Sequence, residues 1–360
     1  MKRMRMHMKC FTPRGFSLVE LMIAITIGFV ILLGLSVVFY TSTVSRKETD
    51  RAARQIENGR YAMQVLSEDL KLAGYLAEFN PNVLPLPGAK PNPCLTTVAD
   101  LNAQLPLHVQ GYDNGAGLTA ECTALLADLR ANTDVVVIRR ASTCFVGAAG
   151  CDPTIAGAPY FQASLCGSAT ELASTTVTDY FVLAASTGTF NKHKKDCTTA
   201  PPGTVADIRR YRTHIYFVTN NDNAGDGIPT LKRAELDDTG YTVVPLVEGI
   251  ENLQIEYGVD TNNDGTPDTF TADPDSITYG ATCPTAPCVV AWRDVMGVRI
   301  NVLARNTEIS PGWVDTRTYT LGKKANGTDN VVPAASDAIK RHAYEGQVRM
   351  NNPSARRLVP

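Results

Sequence analysis

The chain has 360 residues, 44% of them hydrophobic and 19% charged, with 34 Lys and Arg against 36 Asp and Glu for a net charge of −2. That length and apolar content exclude a disordered chain and allow one large or two ordinary domains. Without the five cations of the first fourteen residues the balance is 29 basic against 36 acidic residues, or −7, which argues against a broad nucleic-acid-binding surface.

Lys2, Arg3, Arg5, Lys9 and Arg14 open the chain with no acid among them, and the apolar run "FSLVELMIAITIGFVILLGLSVVFY" follows at Phe16 to Tyr40. Its 25 positions, at ~1.5 Å rise per residue, exceed the ~30 Å hydrocarbon thickness of a bilayer. The charges after it, Arg46, Lys47, Glu48, Asp50 and Arg51, are mixed in sign. The positive-inside rule therefore predicts a cytoplasmic N-terminus and an exported remainder. No A-x-A pattern closes the run, which predicts a retained anchor. Glu20 is the one carboxylate inside it. Near the centre of a membrane helix an acid costs roughly 2.5–3.5 kcal/mol, which marks a functional site unless Glu20 lies close enough to one end to reach headgroups.

From Thr41 to about Ala77 there is no proline, and Ala52, Ile56, Gly59, Met63, Leu66, Leu70 and Ala73 recur at alternating steps of four and three. This predicts an apolar stripe pressed against a folded domain. A helix continuous from Phe16 to Ala77 would run about 93 Å. The five prolines of "NPNVLPLPGAKPNPC", Asn80 to Cys94, end it near Tyr75 to Phe79. An irregular excursion follows to about Thr133. Strands are then predicted at "DVVVIRR" from Asp134, "TDYFVLAAS" from Thr178 and "THIYFVTN" from Thr213. In "NLQIEYGV" Leu253, Ile255, Tyr257 and Val259 share one face against Gln254 and Glu256. In "GVRINVLAR" Val298, Ile300, Val302 and Ala304 oppose Arg299 and Asn301. Such alternation predicts antiparallel sheet with one face buried on the helix stripe and one wet. The fold class is α+β: a long N-terminal helix, transmembrane in its first half and amphipathic in its second, on a β-rich head with a long disulfide-tied region. The predicted boundaries are 1–15, 16–77 and 78–360.

Eight of nine cysteines follow the membrane segment: Cys94, Cys122, Cys144, Cys151, Cys166, Cys197, Cys283 and Cys288. An even set in an exported region predicts disulfides. Short loops close most easily, which favours sequential bridges among the 105 pairings that eight cysteines allow. In "DTNNDGTPD" Asp260, Asn262, Asp264 and Asp268 have the one, three, five, nine oxygen spacing of a calcium loop, with Gly265 at the turn. Thr271 stands where the bidentate Glu belongs, and an ordinary Asn/Asp/Gly turn explains the stretch without metal. No other cofactor is implied. Lys192 to Lys195, "KHKK", and Arg341, Arg349, Arg356 and Arg357 read either as contacts to DNA or an acidic partner, or as a solvated loop and tail. There is no G-x-S-x-G, P-loop or H-E-x-x-H, so the expectation is a protein that is not an enzyme.

"RGFSLVELMIAITIG" resembles the class III leader and N-terminal helix of type IV pilins and of the pseudopilins of type II secretion. "IPTLKRAEL", "PLVEGIENLQIEYGVDTNNDG", "AWRDVMGVRINVLARNTE" and "HAYEGQVRMNN" look like segments of the PilW group of minor pilins, whereas residues 80–212 resemble nothing nameable. The resemblance implies cleavage between Gly15 and Phe16 by the prepilin peptidase, N-methylation of Phe16, and pairing of Glu20 with the new N-terminal amine of a neighbouring subunit. It further implies a minor pilin that initiates, primes or caps a type IV pilus at its tip. Implied partners are other minor pilins, the major pilin, the inner-membrane assembly platform and a tip adhesin. Before assembly the chain would cross the inner membrane once with a periplasmic head; afterwards it would lie in the extracellular pilus. The alternatives are a type II secretion pseudopilin and a membrane-tethered exported binding domain.

Overall fold

In a computed structural model, which describes residues 15, 17–151, 153–185, 190–198, 205–238 and 240–358, helix α1 spans Leu18–Leu72. The chain divides into two units between Ala52 and Ala53, so the second half of α1 belongs with the β-rich part. The helix ends before the prolines, at Gly74. There φ is +71°, a left-handed conformation that glycine adopts without strain, and the Gly74 N–H donates to the Arg139 carbonyl at 2.9 Å. Two short helices, α2 (Val98–Gln104) and α3 (Ala120–Leu125), give the excursion after it more regularity than its composition predicts, each capped by a threonine, Thr97 and Thr119.

Seven strands form the first sheet: β1 (Val109–Tyr112), β2 (Val135–Ala141), β3 (Tyr160–Ala163), β4 (Phe181–Ala184), β5 (Ile208–Thr219), β6 (Thr230–Leu236) and β7 (Tyr241–Glu248). Its pivot is β5, long enough at 12 residues to pair with β2, β3 and β6. The second sheet takes β8 (Ile250–Val259) and β9 (Thr269–Thr271), then, beyond α4 (Val290–Arg293), β10 (Val295–Arg305) and β13 (Arg341–Arg349), in the order β13-β10-β8-β9. Every pairing in both sheets is antiparallel. A hairpin of β11 (Tyr319–Lys323) and β12 (Asp329–Val332) stands beside the second sheet, and α5 (Asn351–Leu358) follows it. Asp134 ties the sheets together: its carboxyl accepts from the Asn114 and Ile255 N–H groups at 2.8 and 2.7 Å. Burial pushes that carboxyl up to about 8.

Period-two alternation places Leu253, Ile255 and Val259 of β8 and Val298, Ile300 and Val302 of β10 in one core. Ala62, Leu66 and Leu70 of α1, and Ala73 just beyond its end, enter the same core with Val136 and Ile138 of β2. The buried face of the helix is rotated from the predicted stripe. It runs through Gln55, Gly59, Ala62, Leu66, Asp69 and Leu70, while Ile56 is 43% exposed and Met63 only partly buried. The two polar members are seated by partners: Gln55 Nε2 donates to the Ala304 and Lys340 carbonyls at 3.0 and 2.8 Å. Gly59 is needed because the Tyr344 ring lies where a side chain would begin.

The opposite face of the second sheet is not wet. Gln254, Glu256 and Asn301 are buried there. A Cβ on Gly322 of β11 would lie 2.7 Å from Asn301 Nδ2 and 2.8 Å from Glu256 Oε2, so the hairpin crosses these polar side chains closely.

Four disulfides, Cys94–Cys122, Cys144–Cys151, Cys166–Cys197 and Cys283–Cys288, close loops of 28, 7, 31 and 5 residues. By the chain-entropy account the two long loops contribute about 3 to 4 kcal/mol each. Three of the four lie in residues 94–197, where the core clusters are smaller.

The rotated helix face separates two substitutions that the sequence pattern treats alike. Leu66→Ala, fully buried, should cost about 2 to 5 kcal/mol, and Ile56→Ala no more than about 0.5 kcal/mol, read from denaturant midpoints of the full chain. Equal losses would restore the sequence-based stripe.

Candidate functional site

The first turn of α1 holds the residues that the leader motif singles out. Gly15 is exposed and outside the helix, with open space around its Cα, which suits a protease-accessible segment. Phe16 lies outside the described residues. Ser17 precedes the helix, and Glu20 Oε2 accepts from the Ser17 N–H at 2.9 Å. This is the return half of a capping box, in which the third helical residue satisfies the donor at the cap. The sequence signal for it, Ser-x-x-Glu at 17–20, is plain but is overshadowed by the apolar run.

From Leu18 to Tyr40 the apolar side chains are exposed, 74% and 70% at the two ends. Among the described residues this is the one helix long and apolar enough to cross a membrane. Its hydroxyls are turned inward: Thr26 Oγ1 donates to the Met22 carbonyl at 3.0 Å and Ser36 Oγ to that of Leu32 at 2.8 Å. Such back-bonding leaves few polar groups to be satisfied from outside. Glu20 is the charged exception.

The second half of α1 carries a buried carboxylate that periodicity missed. Asp69 Oδ1 accepts from Arg140 Nε at 2.7 Å; Oδ2 accepts from His214 Nδ1 at 2.5 Å and the Tyr216 hydroxyl at 2.9 Å. Burial works to raise the Asp69 carboxyl, but His214 and Arg140 more than reverse this and hold it well below the usual carboxylate range. Burial also pushes the His214 imidazole below its ordinary value, although Asp69 pulls it up. Through Nδ1 His214 donates to Asp69, and the Arg140 guanidinium is the fixed positive charge beside that carboxylate. His108 is a core group too, donating to the Val295 carbonyl at 2.8 Å and pushed down to about 3 by burial. No sequence signal distinguishes Asp69 from a solvated helical acid; its partners come from β2 and β5.

The candidate calcium residues occupy the β8–β9 turn. Asp260 Oδ1 accepts the N–H groups of Asn263 and Asp264 at 2.6 and 3.2 Å, Oδ2 accepts that of Gly265 at 2.9 Å, and Arg357 lies 3.7 Å away. The Asn262 amide donates to both Asp264 Oδ2 and Asp268 Oδ1 at 3.1 Å. Two carboxylates thus flank one point, held by a carboxamide, while Asp260 is committed to backbone and to an arginine. Among the described residues no three His, Cys, Asp or Glu side chains are placed to share an ion.

The basic segments are not a free cationic surface. Arg341 pairs with Glu251 and Asp337 at 2.5 and 2.7 Å and is buried. Arg349 donates to the Gly265 carbonyl at 3.2 Å, and Arg357 pairs with Asp294. Arg356 Nη2 donates to the Gly74 carbonyl at 2.7 Å, and Asn352 Nδ2 to those of Leu72 and Ala73 at 3.3 and 3.2 Å. Side chains of α5 therefore satisfy carbonyls left open at the C-terminus of α1. In "KHKK", Lys192 is buried, His193 bonds Glu171 at 2.6 Å and Lys194 pairs with Asp207 at 3.4 Å.

Residues 12–36 match the family described as the prokaryotic N-terminal methylation motif, and residues 215–352 match PilW, described as type IV pilus-assembly protein W. Among solved structures, a type IV-like pilin from Thermus thermophilus is similar over 61% of this chain and 78% of that one, at 12% identity and a TM-score of 0.27. No curated protein matches the chain.

The Asp69 cluster sets a pH dependence. Because the folded carboxyl titrates below its ordinary value of 3.8, its contribution is complete above that value and is lost as pH falls through the folded pKa. Asp69→Asn, which leaves Arg140 without its carboxylate, should cost about 3 to 5 kcal/mol at neutral pH. It should also flatten the decline in stability between about pH 4 and 2, measured by denaturant midpoints.

Proposed function

We propose that this chain, which belongs to the type IV pilus minor pilins of the PilW group, acts in initiating, priming or capping the filament at its tip. The observation that carries this reading is the α1 face from Leu18 to Tyr40, apolar and exposed, with Glu20 in its first turn directly after Gly15. In the membrane that face meets lipid; in a filament it meets the same face of other pilins, which supplies affinity without a change of fold. Cleavage after Gly15 creates an α-amine at Phe16 that is largely cationic at neutral pH. Glu20 pairs with the amine of a neighbouring subunit, and processing is thereby linked to assembly. The head, with its four disulfides, lies in the periplasm before assembly and selects neighbours afterwards. Its role is structural.

The leader reading is tested by mass spectrometry of the mature protein: N-methyl-Phe16 is expected, and retention of Met1 would defeat it. Glu20→Ala should be cleaved normally yet enter filaments poorly, and incorporation equal to wild type would remove the pairing. Deletion should abolish pilus display and twitching; a defect in enzyme secretion instead would assign the chain to a secretion pseudopilus.

Calcium belongs to the same proposal, at the Asp264 and Asp268 carboxylates, where a cation would displace the Asn262 amide. The unfolding midpoint of the full chain should rise by a few degrees in calcium relative to chelator, and the rise should vanish in Asp268→Asn. Identical midpoints would leave the turn to its hydrogen bonds.

A further inference from the structure

A cavity of about 390 Å³ opens where the segment before β2, the start of β8 and the β11–β12 hairpin meet, a size suited to a small ligand. Arg130, Asn132, Glu251, Asn252 and Asn330 line one wall; Val331, Val332 and Pro333 line another. Beneath the polar wall lies the buried side chain of Gln254, which is hydrogen-bonded at both ends. Its Nε2 donates to the Asn252 Oδ1 and to the Asn132 carbonyl, each at 2.9 Å, and its Oε1 accepts from Asn330 Nδ2 at 2.6 Å. One atom of each of two carboxamides is thus fixed from behind. The other atoms, Asn252 Nδ2 as donor and Asn330 Oδ1 as acceptor, make no hydrogen bond among the described residues. The Asn132 side chain makes none either, and its backbone is held at φ 59°.

Asparagine adopts the left-handed conformation readily, and the carboxamides of Asn252 and Asn330, fixed from behind by Gln254, each leave one atom for a ligand to bond in place of water. Glu251 is shared by Arg130 at 3.2 Å and Arg341 at 2.5 Å, and Lys324 also lines the cavity, so the wall sets its carboxamide hydrogen bonds beside basic side chains. No aromatic side chain lines the cavity among the described residues, which leaves no platform for stacking a nucleobase. We propose that this cavity binds one pyranose unit of a saccharide, with its hydroxyls on Asn132, Asn252 and Asn330 and its C–H face on Val331 and Pro333. Gln254 is a positioning residue.

The test uses the full chain in a detergent without a sugar headgroup. It is titrated with the methyl glycosides of glucose, galactose, mannose and N-acetylglucosamine and followed by saturation-transfer NMR and thermal shift. At least one glycoside should bind saturably at millimolar concentration or below. Asn330→Ala should weaken it about tenfold or more. Asn132→Gly, which removes the carboxamide but suits the left-handed backbone, should do the same while leaving the midpoint of the free protein unchanged. Absence of saturable binding by all four glycosides, or affinity unaltered in both variants, would overturn the proposal.

Discussion

The seating of the second half of α1 rests on a buried charge. Asp69 lies on the same helix face as Leu66 and Leu70, and Arg140, His214 and Tyr216 reach it from two neighbouring strands of the first sheet. Apolar contact alone would tolerate a helix slid or rotated by a residue, since leucine and alanine pack adequately in several registers. A carboxylate that needs an arginine, an imidazole and a phenol does not, because each lost partner leaves a buried polar group unsatisfied. Gln55, bonded to the Ala304 and Lys340 carbonyls, repeats the device further along the face. Affinity between helix and head is apolar, and the azimuth is polar.

Much of this was legible in the sequence because the relevant physics is local. The apolar run, the absence of proline to Ala77 and the alternation in β8 and β10 concern neighbouring residues, and the corresponding elements form. Where the sequence pattern failed, the missing information was in distant partners. Ile56 fits the apolar spacing yet is exposed, and Gln55 breaks it yet is buried, because carbonyls some 250 residues away receive its amide. Gln254 and Glu256 looked like a wet face. They are covered because Gly322 and Asn330, on a hairpin too short and polar to announce itself, cross above them. Arg341 looked like part of a solvated tail and is the centre of an ion-pair group with Glu251 and Asp337. At Glu20 the leader motif points to an intermolecular role, while Ser17 at the start of the helix gives the same carboxylate a local one.

The matched regions leave out the middle of the chain, and that is where three disulfides fall. There the strands β1, β3 and β4 have four residues each, and apolar clusters are correspondingly limited. Covalent closure does in this region what a shared core does for the two sheets nearer α1. An oxidising compartment is thus a structural requirement for the middle of the head more than for its helix-bound part.

The clasp of α5 on the end of α1 has a consequence for how the protein is made. Asn352 and Arg356 reach carbonyls about 280 positions earlier in the chain. The carbonyls at the end of α1 are thus bonded by residues synthesised long after them, and they stay open until α5 is made. Contacts of such sequence separation form late and slow folding. A chain truncated before Asn352 therefore carries an α1 whose last carbonyls are open, and synthesis of α5 is registered at the end of that helix.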